Sequence, residues 1–436
     1  MSSLRDFIKE LDDIGKLHKV KEEVSIKFQV AQVIKKLDGE AVLFEKVKGF
    51  LNKIVSGVCS SRDKICLALK VSKENLHKKI LDSLNSPEKP LIVNDAPIKN
   101  ISEKPKLSKM PILRHYEKDG GPYITSAIVV AKDCEENENV SIHRLMVLND
   151  DHLAIRIVPR HLYQICKEAE EKGMEELDVA IAIGLHPAVL LAAASPAPYG
   201  VNEYWIANSF MNGKLNLTLL ENGLHVPAEA EAVFEGKLLL KKNIDEGPFV
   251  DLTGTYDIVR KQPVIKLTKF LHREDYLYQA LLPGGFEHKI LMGLPYEAKI
   301  YGAVKSVIPK VKDVYLTSGG CGWFHARISI EKQTEGDGKT VLMAAFGAHP
   351  SLKLAAVFDS DINIFDSEEV EWALATRFQP DKGVLIIRNA RGSTLDPSAD
   401  QELALTSKLG IDATKTLLKP KEKFEKAKIP SLKEEE

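Results

Sequence analysis

Apolar residues recur every three or four positions near the start of the chain, which predicts an amphipathic helix. Ser3 and Asp6 have the spacing of a capping box, and Gly15 is placed to end the helix. The other face of this segment is charged, unlike a secretory signal peptide. The apolar face consists of Leu4, Phe7, Ile8, Leu11 and Ile14.

Residues 1–105 combine further helical patterns with short apolar runs such as AVLFEKV (41–47) and PLIVND (90–95). Short apolar runs bounded by polar residues predict strands. We therefore expect a small N-terminal α/β region. The polar stretch KNISEKPKLSKMP (99–111) holds two prolines and predicts a linker.

Strand-like runs dominate residues 106–295. Examples are YITSAIVVAKD (123–133) and LNLTLLENGLHVP (215–227). Several runs alternate apolar and polar residues, the pattern of strands with one buried face. A β-barrel or sandwich is therefore predicted for this central domain.

One apolar stretch, 179–197, has the composition of a membrane span. His186 and Pro187 interrupt it, whereas a span needs about 20 continuous apolar residues. We predict a buried strand, DVAIAIGL, followed by a short buried helix that begins at Pro187.

The pattern changes to alternating strands and helices in residues 296–436. VKDVYLTSGG (311–320) and GVLIIRN (383–389) predict strands, and SEEVEWALATRF (367–378) predicts a helix. This alternation predicts an α/β domain with some parallel strand pairing. The last stretch, 419–436, is dense in charge and predicts a frayed end or an interaction tail.

Composition narrows the class of protein. The chain has 436 residues, 44% of them apolar and 28% charged, with a net charge of −2. These values fit a soluble globular protein and give no reason to expect a nucleic acid or a membrane as partner. Five cysteines without a CxxC pair indicate reduced thiols and a cytoplasmic location.

Generic catalytic motifs are missing from the sequence, which contains no GxGxxG, GxxxxGK[ST], HExxH or GxSxG. One segment, EGPFVDLTGTYD (246–257), instead holds Glu246 and Asp251 on either side of a Gly-Pro turn. Two such acids are compatible with a solvated loop, or with a pair that has separate roles in proton transfer.

Four other segments contain polar residues with the same ambiguity. Asn139 could be a turn residue, His161 a surface histidine and Glu203 a solvated acid; Lys408 could be a surface lysine. The segments are NVSIHR (139–144), VPRHLYQI (158–165), SPAPYGVNEYWIA (195–207) and TSKLGIDAT (406–414).

In this order, the five segments resemble the UbiD family of decarboxylases, which use prenylated flavin mononucleotide (FMN). The resemblance runs from the N-terminal helix to GIDAT (410–414). It implies a central flavin-binding split β-barrel between the two α/β regions. It also implies that Asn139, His161 and Glu203 bind Mn²⁺ or Mg²⁺, with hard oxygen ligands and one imidazole nitrogen.

The resemblance also assigns the cofactor contacts and the catalytic residues. Glu246, Arg144 and Asp251 would form the catalytic network, with Asp251 as proton donor in place of the more frequent Glu. Carbonyl groups near Ala193 and Ser195 would bind K⁺. The expected cofactor-binding residues are Asn139, Ser141, Ile142, Arg144, Arg160, His161, Ser195 and Lys408.

The activity implied is non-oxidative decarboxylation of an α,β-unsaturated or aromatic acid. Short, lysine-rich archaeal members act on trans-anhydromevalonate 5-phosphate and form isopentenyl phosphate, and His288 and Lys289 would be extra cations for such a phosphate. An aromatic acid decarboxylase and a non-catalytic flavin-binding module are the alternatives. The expected partners are a flavin prenyltransferase that supplies the cofactor and further copies of the chain, as a dimer or hexamer.

Overall fold

A computed structural model describes residues 2–427 of the chain. The described residues form two compact units, which divide between Tyr296 and Glu297. Residues 428–436, half of the charged end predicted to fray or to act as an interaction tail, lie outside the described part.

The first unit is a mixed α/β structure. Its helices are α1 (Leu4–Asp13), α2 (Gln29–Lys36), α3 (Arg62–Leu69), α4 (Leu76–Asn85), α5 (His161–Glu171), α6 (Pro187–Ala193), α7 (Glu203–Phe210) and α8 (Phe286–Val307), the last of which continues into the second unit. Its strands are β1 (Leu17–Val24), β2 (Ala41–Val47), β3 (Ile54–Ser56), β4 (Leu91–Ile92), β5 (Ile101–Glu103), β6 (Tyr123–Ile124), β7 (Ala127–Lys132), β8 (Glu138–Ile142), β9 (Leu145–Val147), β10 (His152–Ile155), β11 (Glu176–Ile183), β12 (Asn216–Leu219), β13 (His225–Pro227), β14 (Ala232–Glu246), β15 (Phe249–Val250), β16 (Tyr256–Asp257), β17 (Arg260–His272) and β18 (Tyr278–Gln279).

A curled nine-stranded sheet forms the centre of this unit, in the order β6-β9-β10-β17-β14-β11-β7-β8, with β5 also paired to β17. The predicted barrel-like architecture is confirmed. The long antiparallel pair β14 and β17 crosses its middle, and two register shifts bend the pair. Buried aliphatic side chains of the sheet pack against those of β1, β2 and α2 in one core.

Strands from the N-terminal region pair with strands from the central region. β18 completes the sheet β1-β2-β3-β18, and β4 joins β12 and β13. The division between residues 1–105 and 106–295 therefore stays a prediction. The predicted linker 99–111 is wrong in part, because Ile101–Glu103 is strand β5, whose backbone pairs with that of β17.

Local patterns correctly predicted several elements. Ser3 caps the start of α1: its hydroxyl accepts the Asp6 amide N–H while the Asp6 carboxylate accepts the Ser3 amide, a complete capping box. The apolar stretch 179–197 forms the buried strand β11 and then α6, which starts at Pro187. Within residues 2–427, no helix is both long enough and apolar enough to cross a bilayer.

The second unit is an α/β domain, as predicted. Its strands are β19 (Val311–Leu316), β20 (His325–Ile330), β21 (Leu354–Asp359), β22 (Val384–Arg391) and β23 (Leu405–Asp412), and its further helices are α9 (Asp337–Ala348), α10 (Ser367–Arg377) and α11 (Pro380–Gly383). The sheet order is β19-β20-β21-β23-β22, and β20, β21 and β23 run parallel.

All five cysteines are free thiols.

Candidate active site

A tight turn and a short hairpin place two acids at the end of β14. Glu246 is the last residue of this strand and is fully buried. Gly247 follows with φ of +102°, a conformation that favours glycine. β15 and β16 then form a two-residue antiparallel ladder, and Asp251 lies in the loop that joins them. The turn leaves no room for a side chain on Gly120, whose Cβ would lie 2.3 Å from the Gly247 carbonyl oxygen.

Arg144 pairs with three acids, Glu246, Asp251 and Asp257, and these four residues form the charged ring of the site. Its Nε and Nη2 donate to the two oxygens of Glu246 at 2.9 and 2.8 Å, a bidentate pair. Nη1 donates to Asp251 Oδ2 at 3.0 Å, and Nη2 also donates to Asp257 Oδ2 at 3.2 Å. Burial opposes the positive charge, but the bonds to Glu246 and the charges of the three acids raise the pKa of Arg144.

Two aromatic residues, Phe249 and Tyr123, contact the charged ring. The guanidinium carbon of Arg144 lies 4.6 Å from the centre of the Phe249 ring, a cation–π contact. The Tyr123 hydroxyl donates to Glu246 Oε1 at 3.0 Å. Burial and the neighbouring Glu246 carboxylate raise the pKa of Tyr123, so this phenol stays protonated and serves as a donor.

Asp257 is held by arginines on its other side. Arg260 forms a short hydrogen bond to Asp257 Oδ1, and Arg156 Nε lies 3.9 Å from Oδ2. Burial alone would raise the pKa of Asp257, but the Arg260 hydrogen bond and the charges of the surrounding arginines outweigh it and lower the pKa. Asp257 is therefore ionised at neutral pH.

A second cluster lies at the start of β8, where Asn139, His161 and Glu203 come together. Asn139 Nδ2 donates to Glu203 Oε1 at 2.9 Å, and the Val140 amide donates to Oε2 at 2.7 Å. His161 Nδ1 lies 3.7 Å from Glu203 Oε1. Burial raises the pKa of Glu203, although the His161 imidazole and the Val140 amide oppose the rise.

Alternation along β8 places the predicted cofactor residues on two faces of the strand. Asn139 and Ser141 share one face, and the Ser141 hydroxyl bonds to Asn139 Oδ1 at 3.2 Å and to His143 Nε2 at 2.9 Å. Ile142 belongs to the opposite face. Burial lowers the pKa of His143 to about 4, so this histidine is neutral at pH 7.

The loop between α6 and α7 covers the Asn139 cluster. Tyr199 packs its ring edge against His161, with centroids 5.5 Å apart, and its hydroxyl donates to Glu168 on α5 at 3.0 Å. A small cleft opens here, and Asn139, His161, Tyr199 and Gly200 are among the residues that line it.

Other predicted residues lie apart from these contacts. Arg160 is exposed at the start of α5. The Ser195 hydroxyl donates to the Leu191 carbonyl, and its own carbonyl accepts the Ala197 amide at 2.9 Å. Ala193, the other residue predicted near K⁺, is buried at the end of α6.

Lys408 belongs to the second unit, where it is buried on β23. Its ammonium donates to the carbonyls of Pro350 and Leu352, both at 2.6 Å. Burial lowers the pKa of Lys408 to about 8. Since its donors face carbonyl groups, its assignment as a phosphate ligand stays a prediction.

His288 carries no positive charge in this structure, and its expected role beside a substrate phosphate stays a prediction. Its Nδ1 accepts the Gly284 amide at 3.1 Å, which leaves the proton on Nε2. Burial lowers the pKa of His288, which overcomes the attraction of Asp251 for the proton. His288 is therefore a neutral neighbour of the charged ring at pH 7.

Three residues in or beside the charged ring, Tyr123, Phe249 and Asp257, were not predicted from the sequence. Asp257 lies in the same segment as Glu246 and Asp251, so a third acid was visible there. Its role depends on the register that places it opposite Phe249 across β15 and β16. Nothing in the local pattern around Tyr123 indicated a partner 123 residues away.

Comparison with known protein families supports one assignment along the whole chain. Three domains of 3-octaprenyl-4-hydroxybenzoate carboxy-lyase match in order. The N-terminal domain matches residues 8–84, the Rift-related domain 91–286 and the C-terminal domain 289–413.

Similar proteins are found among archaeal enzymes. The anhydromevalonate phosphate decarboxylase of Methanocaldococcus jannaschii is 47% identical, over 98% of this chain and 100% of its own. The enzyme of that name from Methanothermobacter thermautotrophicus is 44% identical, over 97% of this chain and 99% of its own.

Solved structures show the same architecture. The UbiD-class enzyme HmfF from Pelotomaculum thermopropionicum, in complex with FMN, superposes with a TM-score of 0.95 at 40% identity, covering 98% of this chain and 97% of HmfF. An evolved dimeric form of HmfF holds prenylated FMN, with a TM-score of 0.92 at 38% identity, covering 99% of this chain and 97% of that form. The chain belongs to the UbiD family of decarboxylases.

Proposed function

We propose that this protein is a prenylated-FMN-dependent decarboxylase that converts trans-anhydromevalonate 5-phosphate to isopentenyl phosphate and CO₂. The single observation that supports this type of reaction is the contact of Arg144 with both Glu246 and Asp251. A buried arginine can receive a substrate carboxylate, and an acid on the same guanidinium can deliver a proton. A module that only binds flavin has no use for this arrangement.

The Asn139 cluster fits a divalent cation. Glu203 Oε1 lies 3.7 Å from His161 Nδ1, a separation that leaves space for an ion bound to both. The Asn139 Nδ2 group donates to the Glu203 carboxylate and satisfies it. To bind a cation, Asn139 would present Oδ1 to the ion in place of Nδ2. Within residues 2–427, no site of three His, Cys, Asp or Glu side chains is found, so the proposed site depends on the amide of Asn139.

The two clusters are suited to the two ends of one flavin. Asn139 and Arg144 are five residues apart, and five residues of extended chain span at most roughly 18 Å. Mn²⁺ or Mg²⁺ at the first cluster would hold a phosphate, and the ring at Arg144 would face the reacting end. Prenylated FMN, when bound, supplies the electron sink that makes loss of CO₂ from an unsaturated acid possible.

The side chains of this chain then have separate tasks. Arg144 holds the substrate carboxylate, and Glu246 keeps Arg144 in place from its buried side. Asp251 delivers a proton to the carbon that loses CO₂. The Asp251 side chain is 19% exposed, whereas that of Glu246 is 0% exposed, so Asp251 can regain its proton from water between turnovers.

The archaeal relatives at 41–47% identity support the phosphorylated substrate, since they carry the name anhydromevalonate phosphate decarboxylase.

We also propose a cytoplasmic location, a homo-oligomer, K⁺ near Ser195, and cofactor supply by a flavin prenyltransferase.

The test is a substrate panel on protein co-expressed with a flavin prenyltransferase. We expect CO₂ release from trans-anhydromevalonate 5-phosphate, with less from 4-hydroxybenzoate and from the dephosphorylated acid. Protein made without the prenyltransferase is the control and should be inactive. Preferred turnover of 4-hydroxybenzoate would favour the aromatic alternative, and full activity with unmodified FMN would exclude the proposed cofactor.

A further inference from the structure

Asp257 is the one acid of the ring without a task in the reaction described above. We propose that Asp257 is a positioning residue, which fixes the Arg144 guanidinium while Asp251 exchanges its proton. This inference rests on the proposed function, because it takes Asp251 as the group that gains and loses a proton.

The geometry shows why a third acid is needed. Glu246 grips the edge of the guanidinium formed by Nε and Nη2, and Asp251 accepts from Nη1. Once Asp251 is protonated, its carboxyl group loses its charge and holds Nη1 less strongly. The Nη2 bond to Asp257 Oδ2 at 3.2 Å is then the second anionic contact that keeps the guanidinium in its plane.

Asp257 is well placed to keep its charge and position throughout the cycle. Its Oδ1 accepts from Arg260 and from the Ile258 amide at 3.0 Å, so the carboxylate cannot rotate freely. Its backbone pairs with Phe249, whose ring lies on the Arg144 guanidinium. The same small hairpin therefore fixes both the acid and the aromatic face that contact Arg144.

A purely structural role for Asp257 would be to neutralise Arg260. The two roles predict different outcomes when Arg260 is also removed. Asp257→Asn alone removes the anion that faces both Arg144 and Arg260. Asp257→Asn combined with Arg260→Gln leaves no uncompensated charge at position 260, but Arg144 still lacks the anion that Asp257 supplied.

The experiment compares these variants with cofactor-loaded wild type, with rates expressed per bound cofactor. The control is Asp245→Asn, because Asp245 is an exposed acid on β14 that pairs with Lys261 on β17 at 3.0 Å. We expect Asp257→Asn to lower kcat/KM by about 10- to 100-fold, mainly through a higher KM, the range for loss of a charge-assisted hydrogen bond. The double variant should not recover, Asp257→Glu should recover in part, and Asp245→Asn should match wild type.

Crystal structures of Asp257→Asn and Asp245→Asn give a readout that needs no turnover. Arg144 Nη1 should move away from Asp251 only in Asp257→Asn. An unmoved Arg144, kcat/KM within twofold of wild type, or full recovery in the double variant would each overturn the inference. If wild type turns over no acid at all, the proposed function fails, while the position of Arg144 still decides the role of Asp257.

Discussion

Tyr123 donates to the same oxygen of Glu246 that accepts the Nε–H of Arg144, at 3.0 and 2.9 Å. One oxygen of a fully buried carboxylate is thereby bonded to two donors, one on β6 and one in the loop between β8 and β9. Protein groups therefore satisfy both oxygens of Glu246 without water. This environment differs from that of Asp251, which is partly exposed.

Tyr123→Phe should destabilise the protein by about 1–2 kcal/mol, since it removes a hydrogen bond to a charged acceptor and leaves the ring in place. Urea unfolding measures this change. Tyr163→Phe, at an exposed position on α5, is the control and should change the free energy of unfolding by less than about 0.5 kcal/mol. Equal effects of both substitutions would show that the Tyr123 hydroxyl contributes nothing.

Asp251→Asn and Glu246→Gln should impair different steps. Asp251→Asn keeps the shape but removes the proton, so decarboxylation and deuterium exchange into the product alkene should both fall by about 10²- to 10⁴-fold. Glu246→Gln loosens Arg144 and should raise KM more than Asp251→Asn does. Both assays are run at matched cofactor occupancy. Near-wild-type rates for Asp251→Asn in both assays would make Glu246 the next candidate for the acid.

Glu203→Gln should lose metal and cofactor before it loses its fold, because it removes the charge that a divalent cation needs in this cluster. Metal content by mass spectrometry and the flavin absorbance of purified protein are the measurements. Glu171→Gln, an exposed acid on α5, is the matched control. Full metal and flavin content in Glu203→Gln would remove Glu203 from the proposed site.

His186 gives the protein a predictable sensitivity to acid. Its Nδ1 accepts the Ala188 amide at the start of α6, and burial lowers its pKa from 6.5 to about 4. Above pH 6.5 neither the folded nor the unfolded chain protonates His186. Between pH 6.5 and 4 only the unfolded chain does, so stability is lost as the pH falls, by up to ~3 kcal/mol.

His186→Asn tests this contribution, because asparagine can cap the helix but does not titrate. Urea unfolding at pH 7 and pH 4.5 should show a smaller loss of stability for His186→Asn than for wild type. His18→Asn, at an exposed position on β1, should behave like wild type. An unchanged pH dependence in His186→Asn would contradict the prediction.

The sequence predicted those elements of the fold whose pattern of apolar and polar residues is set by neighbouring positions. The capping box of α1, the buried strand β11 and the start of α6 at Pro187 all follow from neighbouring residues. The strand β5 was missed because its polar, proline-flanked sequence pairs with β17 only through tertiary structure.

The residues of the candidate site likewise divide into those that the sequence predicted and those that it did not. Arg144, Glu246 and Asp251 were found from a resemblance that spans the whole chain. Asp257 and Tyr123 were not, because their importance arises from contacts with residues more than 100 positions away, which no local pattern contains. The neutral state of His288 depends on its burial, which a single-residue reading cannot supply.

The hairpin of β15 and β16 has only two residue pairs, too few to be stable alone in water. Arg144 binds Asp251 in its loop and Asp257 at its end and packs on Phe249, so the cation proposed to receive the substrate also holds this hairpin in place. A competing anion would accept from the same Arg144 donors and loosen the hairpin. Laboratory evolution toward other acids should therefore retain Arg144 and its three acceptors and take its variation from the surrounding positions.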